Sequence, residues 1–295
     1  VTPRSLHTLL HTLVDYAGLF PPAGLGMPQA VANYASYRSS AHAWMLGRFV
    51  VPVSRLDEFA DERESSRAAD PHPWRLSALI GEDTAGDVQR IETFNARAAG
   101  ATVDAVEVKA GTPAAIDALV PVIPRALKTY VEIPIAADPT RLIERLVAHK
   151  LRAKVRTGGV VPEAFPSLDD LGRFVRTCYM ANAGFKATAG LHHPLRSERA
   201  LTYEPDSVRG VMHGFLNVFV LAALSYNGLT RQDADALLSM TSLDGVEFTD
   251  DALAWKDYRV TQVELETVRR RFAVSFGSCS FREPVDELIE LGLLA

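Results

Sequence analysis

The sequence predicts an α/β protein, a (β/α)8 TIM-like barrel with an N-terminal helical extension. Three observations predict it. Short β-branched runs alternate with helical segments along most of the chain, as in βα units that build a parallel sheet. Four consecutive runs carry apolar residues on one face and charged residues on the other. The chain has 295 residues, 47% of them hydrophobic, enough for one large barrel core.

Leu6–Tyr16 has the spacing of an amphipathic helix. Gly18, Pro21, Pro22 and Gly24 then break it, and Pro28–Tyr37 reads as a second helix with proline at its start. Residues 1–46 are therefore expected to form an extension packed on the barrel, and 47–295 a single barrel domain. Strands are expected at Phe49–Val53, Leu76–Ile80, Ala105–Lys109, Tyr130–Ile135, Ala153–Arg156, Phe185–Thr188 and Val274–Cys279. Helices fit between them at Arg55–Glu62, Ala85–Ala98, Pro113–Leu119, Pro139–His149 and Leu168–Met180, with a polar loop at Arg63–Asp70. The eighth strand is expected within Ser197–Arg271. Met212–Phe219 reads as that strand, although Phe215–Tyr226 also reads as a buried helix. Val246–Phe248 and Leu253–Trp255 resemble a small hairpin.

Composition narrows the function. A net charge of −5 without a Lys/Arg block gives no footprint for nucleic acid or an anionic membrane surface. The longest apolar stretch, Phe215–Leu224, is too short to span a bilayer. The first residues lack a signal-peptide layout, so a cytoplasmic protein is expected. Its expected partner is a small anionic metabolite, and association of identical copies stays open. Cys178 and Cys279 form neither a disulfide framework nor a Cys-x-x-Cys metal motif.

Side chains alternate along a strand. Glu107 and Lys109 thus share one face, as do Tyr130 and Glu132, Lys154 and Arg156, and Lys186 and Thr188. The outer face of a barrel packs on helices, so these charges are expected inside, toward the C-terminal mouth where barrel active sites lie. A structural salt-bridge network is the plainer alternative. Around the mouth, Gly158 and Gly159 could offer backbone N–H groups to an anion. His192 and His193 could serve as base or anion ligand. Ser278 and Ser280 lead into a helix N-terminus suited to a phosphate or carboxylate, or simply cap it. Cys279 has no evident partner base and reads as packing.

The segment Phe185-Lys-Ala-Thr-Ala-Gly190 resembles the strand-six motif of the deoxyribose-phosphate aldolase type of class I aldolase. In that family a strand lysine, followed by Thr and Gly, forms a Schiff base with a carbonyl substrate inside a TIM barrel. The resemblance implies this role for Lys186, on the sixth strand as counted here; that family's strand-seven lysine motif is not found where this chain should supply it. The residues allow the same chemistry. Lys154 and Arg156 would lower the pKa of Lys186, and Glu132 or Glu107 could shuttle protons. Lys109, Arg156 and the glycine loop could hold a substrate anion.

Three functions follow. The first is a class I aldolase-type lyase for a small anionic carbonyl compound, without a cofactor. The second is a metal-assisted lyase or isomerase that binds a divalent ion through Glu107, Glu132 and His192. The third is a non-catalytic barrel that binds an anionic metabolite.

Overall fold

The computed structural model describes residues 2–65, 73–97 and 100–295. The chain begins with α1 (Arg4–Leu10), β1 (Val14–Tyr16) and α2 (Met27–Arg38). There follow β2 (Leu46–Pro52), α3 (Leu56–Ser65), β3 (Trp74–Leu79), α4 (Thr84–Arg97), β4 (Ala101–Lys109) and α5 (Pro113–Leu119). Next come β5 (Lys128–Glu132), α6 (Thr140–Ala148), β6 (Arg152–Arg156), α7 (Leu168–Met180) and β7 (Phe185–Thr188). A long excursion carries an antiparallel hairpin, β8 (Ser197–Ala200) and β9 (Arg209–Met212), then α8 (Phe215–Leu224) and α9 (Arg231–Ser239). It continues with a small antiparallel sheet of β10 (Val246–Phe248), β11 (Ala252–Trp255) and β12 (Tyr258–Thr261). The chain closes with α10 (Gln262–Arg271), β13 (Ala273–Ser278) and α11 (Arg282–Glu290).

Eight parallel strands form a closed barrel in the order β1-β13-β7-β6-β5-β4-β3-β2, with β2 returning to β1. Their outer faces pack under helices. Phe276 of β13 stacks with Phe215 of α8, and Phe185 of β7 meets Phe174 of α7 edge to face. Every residue of α8 is buried, as expected for a helix apolar all round. Several helix starts are fixed by side-chain caps. Thr112, Ser167 and Thr230 each accept a backbone N–H, and Thr261 with Glu264 forms a capping box. No helix among the described residues is long and apolar enough to cross a membrane.

The missing strand is β1, inside the segment expected to be a helical extension. The expected boundary at residue 46 therefore cuts through the barrel itself. The expected helix Leu6–Tyr16 stops at Leu10 because Thr12 adopts a left-handed φ of 48°, and the chain emerges as a strand. Residues 14–16 are all buried, so they show no alternation, and their apolar residues extend the helical pattern of Leu6, Leu9 and Leu10. The excursion between β7 and β13 contributes no barrel strand, and Phe215–Leu224 is the buried helix. Arg63–Ser65, expected in a loop, finishes α3. The rest of that loop, 66–70, and the expected helix end at Ala98 lie outside the described residues.

Candidate active site

Counting from β1 places Lys186 on the seventh barrel strand, and the sixth carries Lys154. The two lysines are register partners on neighbouring strands. A chain of alternating charges runs through the barrel interior. Lys186 Nζ donates to Asp15 Oδ2 at 2.7 Å and to Glu107 Oε1 at 2.5 Å. Lys154 Nζ lies 2.8 Å from Glu107 Oε2 and 2.9 Å from Glu132 Oε2. Lys109 Nζ stands 4.0 Å from Glu132 at the outer end. Ser77 Oγ donates to Glu107 at 2.7 Å and Ser275 Oγ to Asp15 at 2.9 Å.

Burial is steep along this chain. Asp15 and Lys186 are 1% exposed, Glu107 2% and Lys154 5%, whereas the Lys109 side chain is 81% exposed. A buried ion survives only with close partners of opposite sign, and each interior charge here has them. Burial opposes the Lys186 ammonium, but Asp15 and Glu107 outweigh it and hold the pKa above that of an ordinary lysine. The expected lowering by Lys154 and Arg156 does not occur, because two carboxylates touch the amine and neither cation does. Burial likewise opposes the Glu107 carboxylate, yet Lys154 and Lys186 hold its pKa well below the ordinary range.

Asp15 is the residue the sequence reading left outside the site. Its Oδ1 accepts the backbone N–H of Arg48 at 2.6 Å while Oδ2 serves Lys186 and Ser275. A Cβ at position 47 would sit 2.2 Å from Oδ1, so Gly47 is what lets β2 approach this carboxylate. The legible signal was an acid in an otherwise apolar run.

The remaining candidates divide. Arg156, at the end of β6, is exposed and has no partner among the described residues, so its guanidinium is available to a ligand. Gly158 and Gly159 are both needed for close packing. A Cβ at Gly158 would lie 2.9 Å from Gly190 Cα and 2.4 Å from the Phe165 ring, and one at Gly159 would lie 2.8 Å from Ala164. The loops after β6 and β7 thus touch backbone to backbone. His193 points away to Glu287, with Nδ1 2.6 Å from Oε1, while His192 Nδ1 lies 3.3 Å from both Ser278 Oγ and Glu283 Oε2. Ser280 Oγ accepts the N–H of Glu283, as a capping residue does, so the anion role expected of it gives way to the helix start. Cys279, expected to be packing, lies 3.8 Å from His192 Nδ1.

Glu107, Glu132 and His192 do not form the metal set considered above. An ammonium sits between the two carboxylates, and His192 has other partners. Among the described residues no three His, Cys, Asp or Glu side chains converge as metal ligands.

No protein-family model matches the chain, and no curated protein is similar to it. The site therefore stands on its own geometry. It consists of two lysines interleaved with three carboxylates in a barrel whose outer end carries the exposed cations Lys109 and Arg156.

Proposed function

We propose that this barrel is a lyase of the class I aldolase kind, acting on a small anionic carbonyl compound through a Schiff base on Lys154. The observation that carries the reading is the registered pair Lys154–Lys186, bridged by Glu107, beneath a rim bearing Arg156 and Lys109. Barrel active sites form at this end of the strands, although a fold alone does not fix a reaction.

Lys154 is preferred to Lys186 for two reasons. It is the lysine nearer the mouth, in contact with the partly open Glu132, whose side chain is 12% exposed. It also occupies the strand-six position that the aldolase resemblance implies and is itself followed by Thr157 and Gly158. Lys186, wedged between Asp15 and Glu107, supplies a fixed positive charge.

The chemistry needs a neutral amine. Lys154 passes its proton to Glu132, and the amine nitrogen then bonds to the carbonyl carbon while the carbonyl oxygen takes a proton. Loss of that oxygen as water, with a second proton from a carboxylic acid, leaves an iminium. The bond between the substrate's α and β carbons then breaks, its electron pair passing to the iminium to give an enamine, while the β-hydroxyl gives its proton to a carboxylate and becomes the carbonyl product. Protonation of the enamine and hydrolysis return the amine. Arg156 and Lys109 hold the carboxylate or phosphate of the substrate.

Sodium borohydride reduction in the presence of small carboxylated and phosphorylated carbonyl compounds tests this. Peptide mapping is expected to locate the reduced adduct on Lys154, with none in Lys154→Met. An adduct on Lys186 transfers the nucleophile to the seventh strand. Failure to trap any interior lysine removes the Schiff base and favours a barrel that only binds anions, a reading supported by the complete pairing of the interior charges.

A further inference from the structure

A second reactive cluster stands at the same end of the barrel, just beyond β13. Cys279 follows the last strand residue, where Ser278 O still accepts the N–H of Ala17 at 2.7 Å. Three other elements converge on its sulfur. His192, from the loop after β7, places Nδ1 3.8 Å from Sγ, and Tyr203, between β8 and β9, places Oη 3.7 Å from it. Glu283 of α11 reaches the same two groups, with Oε2 3.3 Å from His192 Nδ1 and Oε1 accepting the Tyr203 hydroxyl at 2.9 Å. Each donor thus sits between the sulfur and a carboxylate.

We propose that Cys279 is a nucleophilic thiol, activated by His192 and oriented by Glu283 and Tyr203, that bonds covalently to an aldehyde-bearing ligand at the barrel rim. The buried carboxylate oxygen Glu283 Oε2 has no hydrogen bond of its own, and it stands 3.3 Å from the imidazole nitrogen that also faces the sulfur, as does Ser278 Oγ. A carboxylate there keeps a proton on Nδ1. An imidazolium beside a thiol favours the thiolate, which is the reactive form. Burial disfavours the imidazolium, but Cys279 and Glu283 outweigh it and raise the His192 pKa to about 10. Cys178 is the contrast within one chain. Both cysteines are buried, Cys279 at 5% exposure, but Cys178 on α7 lies where burial alone acts and pushes its thiol up, whereas Cys279 has His192 and Tyr203 against its sulfur.

The covalent step balances without a co-reactant. Sulfur bonds to the aldehyde carbon, the carbonyl π pair moves to oxygen, and that oxygen takes the proton from His192, leaving a hemithioacetal and a neutral imidazole. Other titratable groups within electrostatic reach of the sulfur are Tyr16 of β1 and Tyr37 of α2. Arg282 and Asp286 of α11 lie near Tyr37, and His193 lies near Glu283. This inference does not depend on the Schiff-base reading, since its test uses a thiol reagent and no substrate.

Alkylation of the native protein with iodoacetamide, followed across pH and read by peptide mass, is the test. Cys279 is expected to label at about pH 6.5, where an ordinary thiol is largely protonated, while Cys178 stays unlabelled. His192→Gln is expected to slow labelling roughly tenfold at about pH 6.5 and to match the wild-type rate at about pH 10, where both thiols are ionised. Convergence at high pH separates activation from access. No label on Cys279 at about pH 6.5 in the wild-type protein, equal rates at about pH 6.5 in both proteins, or no label at about pH 10 would each overturn the proposal. If His192→Gln does not fold, thiolate absorbance near 240 nm in wild type minus Cys279→Ala replaces it. A difference at neutral pH supports the thiolate, and none refutes it.

Discussion

The two ends of the barrel handle charge differently. At the floor, Arg48 grips Asp104 through two nitrogens at 2.6 and 2.9 Å, and Arg75 reaches the same carboxylate at 2.6 Å, with Lys128 4.0 Å away. Cations from three strands lean on one acid, and the planar guanidinium forks match its geometry. At the mouth the order is linear, acid and base alternating from Asp15 outward to the exposed Lys109, and Arg156 at the end of β6 has no acid partner among the described residues. An arrangement that converges holds strands together. One that runs toward solvent and finishes among exposed cations leaves a place for an anion from outside.

The largest expected effect lies in the interior. Glu107→Gln removes the acid shared by both lysines and leaves each buried ammonium with a single carboxylate, at a cost of roughly 3–5 kcal/mol in urea unfolding. A loss as small as a surface substitution gives would mean that the alternating chain is not what holds the interior. Asp104→Asn at the floor is expected to cost less, roughly 1.5–3 kcal/mol, because Asp104 is only partly buried and one of its two arginines, Arg75, reaches water. It should leave borohydride trapping at Lys154 unchanged. Loss of trapping without unfolding would break the division between a structural floor and a working mouth.

The pH response has a definite sign. Glu107 titrates below its ordinary 4.5 when folded, so its contribution is complete above that value and is lost as pH falls through the folded pKa. Lys186 titrates above its ordinary 10.5 when folded, so its contribution is complete below that value and is lost as pH rises through the folded pKa. The contribution of this pair to the urea midpoint is therefore expected to be level between about pH 5 and 10 and to fall on both sides. The smallest expected effect on stability is that of Arg156→Ala, within about 0.5 kcal/mol of wild type. The same change should raise the ligand concentration needed for half-maximal trapping roughly tenfold, as loss of a charged hydrogen bond does. Unchanged ligand dependence would remove Arg156 from the anion site.

The sequence carried the interior better than the rim. Glu107, Lys154 and Lys186 were legible because strand alternation sorts faces, and apolar outer faces left these charges only one place to go. Their partners were not legible. Asp15 lies 171 residues from Lys186, and nothing local in a three-residue buried strand separates it from the end of a helix. Missing that strand shifted the count by one and moved the sixth-strand lysine from Lys154 to Lys186. Gly158 read as an anion loop because adjacent glycines serve both anion contact and close backbone packing, and the loop it packs against is remote in sequence. The partners of Cys279 were hidden for the same reason, since His192 and Tyr203 are remote from it in sequence.

The pairing of β1 with β13 bears on how the molecule comes into being. Ser275 and Asp15, joined by a hydrogen bond, are separated by 260 residues, so the barrel's first strand waits for its second neighbour until all the residues between them have been made. Until then Asp15 has no closed wall around it, and an incomplete barrel presents unpaired strand edges, the hazard of slow, long-range topologies. The innermost carboxylate of the site is thus also a record of completion, sealed from water only when the final strand docks.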